Sequence, residues 1–308
     1  MFEKVNPSHP DKVADRIAGA MVDLAYTRSE NPKVAVEVLL GHGYAYIIAE
    51  SSVSFTHEDV EPIVQRITGK NLIVRLLSVP QDEFLAANQH GTIKCGDNGI
   101  FRGECTKREQ ATLTSLAHTL YKRFPYDGKY VVGWQKLSDE GKEDNPNIYC
   151  VTICQSHAKE YQINQCLSEW EQANYEKQDD YPFESCCINP LGPWTGGPDV
   201  DCGATNRKLG SDMGDAVTGG GLMGKDLSKA DVSVNIVCHL KAVASGQVVT
   251  AICSIGDENV TFTYADGRRE TERFADIVEQ ARLYIMTVCG GSFEKFAEWG
   301  LIRPLATE

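Results

Sequence analysis

Residues 218–226 read TGGGLMGKD. From Gly219 the run satisfies G-x-x-x-x-G-K, the spacing of a phosphate-cradling P-loop, but Asp226 stands where that loop carries Ser or Thr. In a P-loop the hydroxyl at that place ligates magnesium, and an aspartate would push a carboxylate toward phosphate oxygens. A P-loop also needs a buried hydrophobic strand immediately before its glycines. The preceding KLGSDMGDAV (208–217) is polar and broken by glycine. Both requirements fail, so the P-loop reading is rejected. A flexible surface loop would account for the glycines but not for the charges packed around them.

The whole chain bounds what those charges serve. Its 308 residues leave room for about two domains and a sizeable core. Hydrophobic content of 42% and charged content of 24% describe an ordinary soluble globular protein. A net charge of −13 with no Lys/Arg-rich segment argues against nucleic acid as a partner, although a local lysine cluster still suits small anions. Eleven cysteines without C-x-x-C spacing, Cys186 and Cys187 being merely adjacent, fit reduced thiols better than a disulfide framework or zinc site. The start MFEKVNPSHPDK is no signal peptide, and no apolar run approaches membrane-spanning length, so a cytoplasmic protein without a membrane partner is expected.

Helical and strand patterns alternate along the chain without a linker. Ser8 is placed to cap a helix with the apolar stripe Val13, Ile17, Met21 and Leu24, Pro10 suits its first turn, and Asp11 takes the capping-box position. VAVEVLL and YAYIIAE read as two β runs about GHG, with Glu37 and Glu50 inside them. An edge strand's solvent face would accommodate one glutamate; two at corresponding places weaken that reading. REQATLTSLAHTLYKRF is a helix, and KYVVGWQ and NIYCVTICQ are strands. After the glycine run, Asp226 or Ser228 is placed to cap a helix carrying Val232, Ile236 and Val243 and stopped by Gly246. A last helix is expected over roughly Glu272 to Met286. The expected class is α+β with antiparallel strand pairs.

Four unusual strings carry the functional signal: SHPDKVAD (8–15), GDNGIFRG (96–103), GGPDVDCGATNRK (196–208) and GGGLMGKDLSKAD (219–231). Together with YDGK (126–129), and in this order and spacing from His9 to about Gly256, they resemble S-adenosylmethionine synthetase, also called methionine adenosyltransferase. The resemblance implies three intertwined β/α repeats, here 1–92, 93–184 and 185–308 in one compact unit. It also implies a homodimer with shared active sites, or a tetramer built from it. The implied reaction joins ATP and L-methionine into S-adenosylmethionine and releases phosphate and pyrophosphate, with Mg²⁺ and K⁺ as cofactors. A thioether sulfur attacks C5′ and needs no general base, so the barrier lies in stabilising a departing polyanion with cations and metal.

The motif positions imply roles residue by residue. His9 lies beside the breaking C5′–O bond; Asp11 and Asp231 are magnesium ligands; Glu37 is the potassium ligand. Lys129, Arg207, Lys208 and Lys225 are the phosphate cations, with His9, Lys129, Arg207 and Lys225 taken as catalytic. ATP contacts extend to Asp97, Asp127, Asp201 and Trp194, whose ring is the candidate partner for adenine. Methionine contacts fall on Glu50, Gln89, Asp201, Lys229 and Ile255. The glycine run then brings backbone close to the nucleotide and delivers Lys225.

Each assignment has a plainer rival. His9 and Asp11 could be a helix start and its cap, Asp127 and Lys129 turn residues, Arg207-Lys208 a solvated pair, and Trp194 core; Leu222 and Met223 read as packing. The chain also departs from the family. Ser8 and Asn206 replace glycines and Asn98 replaces a glutamine; NPLGPWTGG and GGGLMGK are each one residue short. Only HGTIKCG separates Gln89 from Asp97, where the family carries a longer mobile loop. The rival function is a catalytically inactive relative acting as a nucleotide-binding or regulatory subunit. Such decay should lose costly charged ligands first, and here they are all kept.

Overall fold

A computed structural model of the chain describes residues 1–88, 91–133, 149–178, 181–217, 222, 227 and 230–304. Period-2 alternation builds its strands. In β2 (Val34–Gly41), Val34, Val36, Val38 and Leu40 are buried while Glu37 and Leu39 face outward. This strand turns through Gly41, His42 and Gly43, all with left-handed φ, into β3 (Tyr44–Ser51). The remaining strands are β1 (Phe2–Val5), β4 (Ile73–Val79), β5 (Gly99–Gly103), β6 (Gly128–Gly133), β7 (Tyr149–Gln155), β8 (Phe183–Ile188), β9 (Cys202–Ala204), β10 (Val249–Cys253), β11 (Asn259–Tyr264) and β12 (Arg269–Arg273).

Among the described residues these strands form three four-stranded sheets, ordered β1-β6-β7-β8, β9-β2-β3-β4 and β5-β10-β11-β12. The first two share one pattern: an antiparallel central pair, a parallel last strand, and a lead strand taken from a distant part of the chain. The third also borrows its lead strand, β5, but ends on the antiparallel β12. The chain is α+β, with segments far apart in sequence knitted into each sheet.

The described helices are α1 (Pro10–Arg28), α2 (His57–Thr68), α3 (Glu83–Asn88), α4 (Arg108–Arg123), α5 (Glu160–Asn174), α6 (Leu209–Met213), α7 (Ala230–Ser245), α8 (Phe274–Cys289) and α9 (Phe293–Trp299); α4 packs on the first sheet, α1 and α2 on the second, and α7 and α8 on the third. One apolar core joins α1, α7 and α8 to the second and third sheets, and another joins α4 and α5 to the first. Each fully buried Val, Leu, Ile or Phe in them contributes about 1.5–3 kcal/mol. Among the described residues no helix is long and apolar enough to cross a membrane.

Three local expectations change. His9, not Ser8, is the N-cap of α1, because the imidazole accepts the Asp11 N–H, while Ser8 donates to the Pro125 carbonyl. The last predicted helix runs two residues later, as α8, since its first two predicted residues still pair with β11. A further helix, α9, follows; Asp23 of α1 accepts the N–H groups of Phe293 and Glu294 at 2.7 and 3.1 Å and so caps its first turn. Among the described residues no strand runs directly into the glycine run. β9 is followed instead by α6 and a short 3-10 turn at Gly214–Ala216, as the rejection of the P-loop requires.

The join that positions the site is β9 against the start of α1. A Cβ at Gly203 would lie 2.1 Å from the Pro10 carbonyl, so only glycine lets the two backbones approach. Gly203→Ala should therefore destabilise by about 3 kcal/mol, the upper end of overpacking costs. Gly210→Ala, at a helical position with open space around it, should be neutral or stabilise by up to about 1 kcal/mol. Urea titrations of both variants provide the check, and matching midpoints would refute the close-approach account.

Candidate active site

β9 and the turn after it bring Arg207 and Lys208 to the first turn of α1. Asp11, 2% exposed, accepts the Ala204 N–H at 2.9 Å through Oδ1 and pairs through Oδ2 with Lys208 Nζ at 2.9 Å. The Arg207 guanidinium reaches the same carboxylate at 3.5 Å. Burial alone would raise the Asp11 pKa, but the Lys208 and Ala204 hydrogen bonds outweigh it and hold the group below the usual carboxylate range. Asp11 is thus a fixed anion flanked by two cations.

His9 adjoins this cluster. Its Nδ1 accepts the Asp11 N–H at 3.2 Å, which leaves the ring proton on Nε2. Burial lowers its pKa to about 4; Asp11 pulls it upward, and Lys208 and Lys129 push it further down. The imidazole is therefore neutral at physiological pH and offers one N–H.

A cavity of about 430 Å³ opens beside it, and His9, Asp127, Lys129, Trp194 and Asp201 all line its wall. Asp127 is 4% exposed, accepts the Gly197 N–H at 2.8 Å, and is pushed by burial to a pKa of about 6, with Asp201 and Asp11 adding to the rise. Lys129, on β6, pairs with Glu3 of β1 at 2.8 Å. The Trp194 indole donates to Asn189 Oδ1 at 3.2 Å, and the same oxygen accepts the Gln155 N–H at 2.9 Å. That bond and Gly196, where a Cβ would come within 2.7 Å of the ring, fix the indole at the cavity. Trp194 is half-buried and lines the cavity rather than the core.

Sequence reading missed several contributors. Cys154 and, within the NPLGPWTGG segment, Asn189, Pro190, Leu191, Gly192 and Pro193 complete the cavity wall, and sequence reading gave none of them a role. Two departures from the family find a reason here. Asn206 sits at φ 61°, and asparagine is the residue after glycine that best tolerates this left-handed geometry. Asn98 uses its side-chain oxygen to accept the Ile255 N–H at 2.8 Å.

The remaining predicted residues stand elsewhere. Glu37 and Glu50 lie on the outward face of the second sheet, on its two inner strands rather than an edge, and Glu37 accepts the Thr205 hydroxyl. Asp97 and Ile255 share one end of the third sheet, where Cys95 exchanges backbone hydrogen bonds with Gly256 and Asp257 at 2.8 and 3.0 Å. Asp231 is buried in the first turn of α7. None of these five lines the His9 cavity. Gln89, Lys225 and Lys229 lie outside the described residues, as does Met223; Leu222 is fully buried.

Among the described residues no three His, Cys, Asp or Glu side chains gather into a metal site. Magnesium does not require one, since it favours one or two carboxylates with waters and phosphate oxygens completing its shell. The ionised Asp11 carboxylate, buried beside Arg207 and Lys208, fits that demand as a single carboxylate ligand.

Comparison with known proteins finds similarity along most of the chain. Residues 1–71 match the family model described as S-adenosylmethionine synthetase, N-terminal domain. The chain is 27% identical over 323 aligned residues to an S-adenosylmethionine synthase of Helicobacter pylori, covering 92% of this chain and 80% of that one. It is 29% identical to one of Mycoplasmopsis pulmonis, covering 75% and 69%. The solved structure of an unusual S-adenosylmethionine synthetase from Campylobacter jejuni superimposes with a TM-score of 0.68 at 20% identity, over 97% of this chain and 93% of that one. The chain is similar to S-adenosylmethionine synthetases over most of its length and shares the fold of the solved one.

Proposed function

We propose that the chain is a methionine adenosyltransferase, which makes S-adenosylmethionine from ATP and L-methionine and releases phosphate and pyrophosphate. The observation that carries this reading is a neutral His9 on the cavity wall with Lys129, its Nε2–H free of the Asp11 contact, next to the Asp11 carboxylate that holds the Arg207–Lys208 cation pair. Attack of a neutral thioether on C5′ releases no proton but concentrates negative charge on the departing oxygen. His9 Nε2–H supplies a hydrogen bond to that oxygen, and Arg207, Lys208 and Lys129 take up the triphosphate charge. Trp194 offers an apolar plane for the adenine, and Asp201 faces the same space. Lys225 and Lys229, on the glycine run, would add cations to the phosphate and methionine ends.

Asp11 would hold Mg²⁺, joined by Asp231, and Glu37 with the Thr205 hydroxyl would hold K⁺. Magnesium, when bound, neutralises triphosphate charge and orients its oxygens. Asp97, Glu50, Ile255 and Gln89 would complete the ATP and methionine contacts from a second copy of the chain. The outward faces of the second and third sheets support that homodimer. Leu39, Tyr46, Ile48 and Leu77 stand side by side on one, each about half exposed, and the paired Ile100 and Ile252 stand on the other. Apolar faces of this extent mark an interaction surface. The eleven cysteines are all free thiols, in keeping with a reducing cytoplasm.

Mass detection of S-adenosylmethionine after incubation of the chain with ATP, methionine, Mg²⁺ and K⁺ tests the reading directly. Arg207→Ala should lower kcat by about 10²–10³, the size of one lost transition-state donor. A chain that binds nucleotide but yields no product would be the inactive relative instead. Product formed equally well by Arg207→Ala would remove Arg207 from the phosphate site.

His9 sets a pH expectation. With its folded pKa near 4 rather than 6.5, the neutral donor form persists from alkaline pH down to about pH 5. The kcat profile should therefore show no His9 titration between pH 5.5 and 8. Any acid limb near pH 6 should belong to Asp127, which gains its proton there, and should vanish in Asp127→Asn. A limb near pH 6.5 that instead vanishes in His9→Asn would show an ordinary, charged histidine and undo the assignment.

A further inference from the structure

Behind the Arg207–Lys208 turn lies a group of buried charges that does not line the cavity. Lys12 Nζ, on a residue with no exposed surface, donates to both oxygens of Asp212 at 2.8 and 3.0 Å and lies 3.3 Å from Asp15 Oδ2. Asp15 and Asp212 are 0% and 1% exposed. The other oxygen of Asp15 accepts the Asn206 N–H at 2.9 Å, and the Asp212 N–H donates to the Lys208 carbonyl at 3.1 Å. The turn is thus held before Arg207 and after Lys208 by two residues whose carboxylates share one ammonium. Such ion groups contribute little net stability, because desolvation offsets their attraction. What they do fix is geometry.

We propose that Lys12, Asp15 and Asp212 are a positioning unit, which holds the Asn206–Lys208 turn so that Arg207 and Lys208 meet a triphosphate at a set distance from His9. This deepens the function proposed above and rests on it for the identity of the anion. Asp15 is the member to probe. Asp15→Asn keeps an oxygen for the Asn206 N–H, whereas Asp15→Leu keeps much of the volume and removes the acceptor. Both carboxylate neighbours of Lys12 need not be altered together, so the Lys12–Asp212 pair stays intact.

The test measures binding of tripolyphosphate with Mg²⁺ to the full chain by calorimetry, alongside steady-state kinetics. Asp15→Leu should weaken tripolyphosphate binding and raise KM for ATP by about tenfold, the worth of one lost buried hydrogen bond. KM for methionine should stay within about twofold, and Asp15→Asn within about threefold of the unaltered chain. In an Arg207→Ala/Lys208→Ala background the Asp15→Leu effect should shrink to about twofold or less, because nothing remains to position. An effect that persists undiminished there, or an Asp15→Leu chain that binds tripolyphosphate normally, overturns the proposal. Should Asp15→Leu not fold, hydrogen exchange of the unaltered chain decides: the Asn206 amide must be protected before ligand is added, and protection that arises only with ligand overturns it. An unaltered chain that makes no S-adenosylmethionine yet binds tripolyphosphate through Arg207 refutes the proposed reaction alone. One that binds no tripolyphosphate refutes both.

Discussion

Asp11 sits where two segments 193 residues apart meet, and the site depends on how that carboxylate is shared. One oxygen takes the Ala204 N–H and so ties β9 to the start of α1; the other holds Lys208. Without the first bond, β9 loses its polar link to the helix, and Gly203 no longer has a reason to lie against Pro10. Without the second, the turn carrying Arg207 and Lys208 loses its nearest anion. The same residue lends its N–H to His9 and thereby sets which imidazole nitrogen carries the proton. Fold, cation placement and histidine tautomer are consequences of one side chain and its backbone.

The cluster is electrically economical. Asp11, Lys12 and Asp15 lie in the first two turns of α1, and Arg207, Lys208 and Asp212 in the chain that docks there, yet each buried carboxylate has a cation or an N–H against it. Lys4 follows the same logic on β1. Its ammonium donates to the carbonyls of Ser211, Trp299 and Ile302 at 2.7, 2.9 and 2.7 Å, although burial pulls its pKa down to about 7. Three carbonyl acceptors match the three protons of an ammonium and offset part of that penalty.

Much of this was legible from residue patterns. The β2–β3 turn announces itself in GHG between apolar runs, α1 in SHPDKVAD, and the stop of α7 in Gly246, because each rests on local backbone chemistry. The grouping of His9, Asp127, Lys129, Trp194 and Asp201 around one cavity was expected only through the family motifs, since no local rule brings residues so far apart together. What stayed hidden was long-range. Borrowed lead strands have no sequence signature, because a three- or four-residue strand such as CGA or FEKV fits many contexts. No local pattern marks Asp15 and Asp212 as buried; tertiary contact with Lys12 makes them so. The N-cap of α1 was misplaced by one residue because His9 is an uncommon cap, and its imidazole does the work usually given to a hydroxyl.

The borrowed lead strands also bear on the order in which the molecule is made. β1 leaves the ribosome before the other described strands, yet its partner β6 lies well over a hundred residues later, and β2 must await β9 to fill its open side. Lys4 reaches its last acceptors only when residues 299–302 exist, a sequence separation of up to 298. Contacts of that span close late and slow a chain's folding. The first sheet and the site beside it therefore cannot be finished during synthesis of the N-terminal third. A nascent chain carries His9 and Asp11 early, but acquires the formed cluster around them only after residues 201–208 have been made.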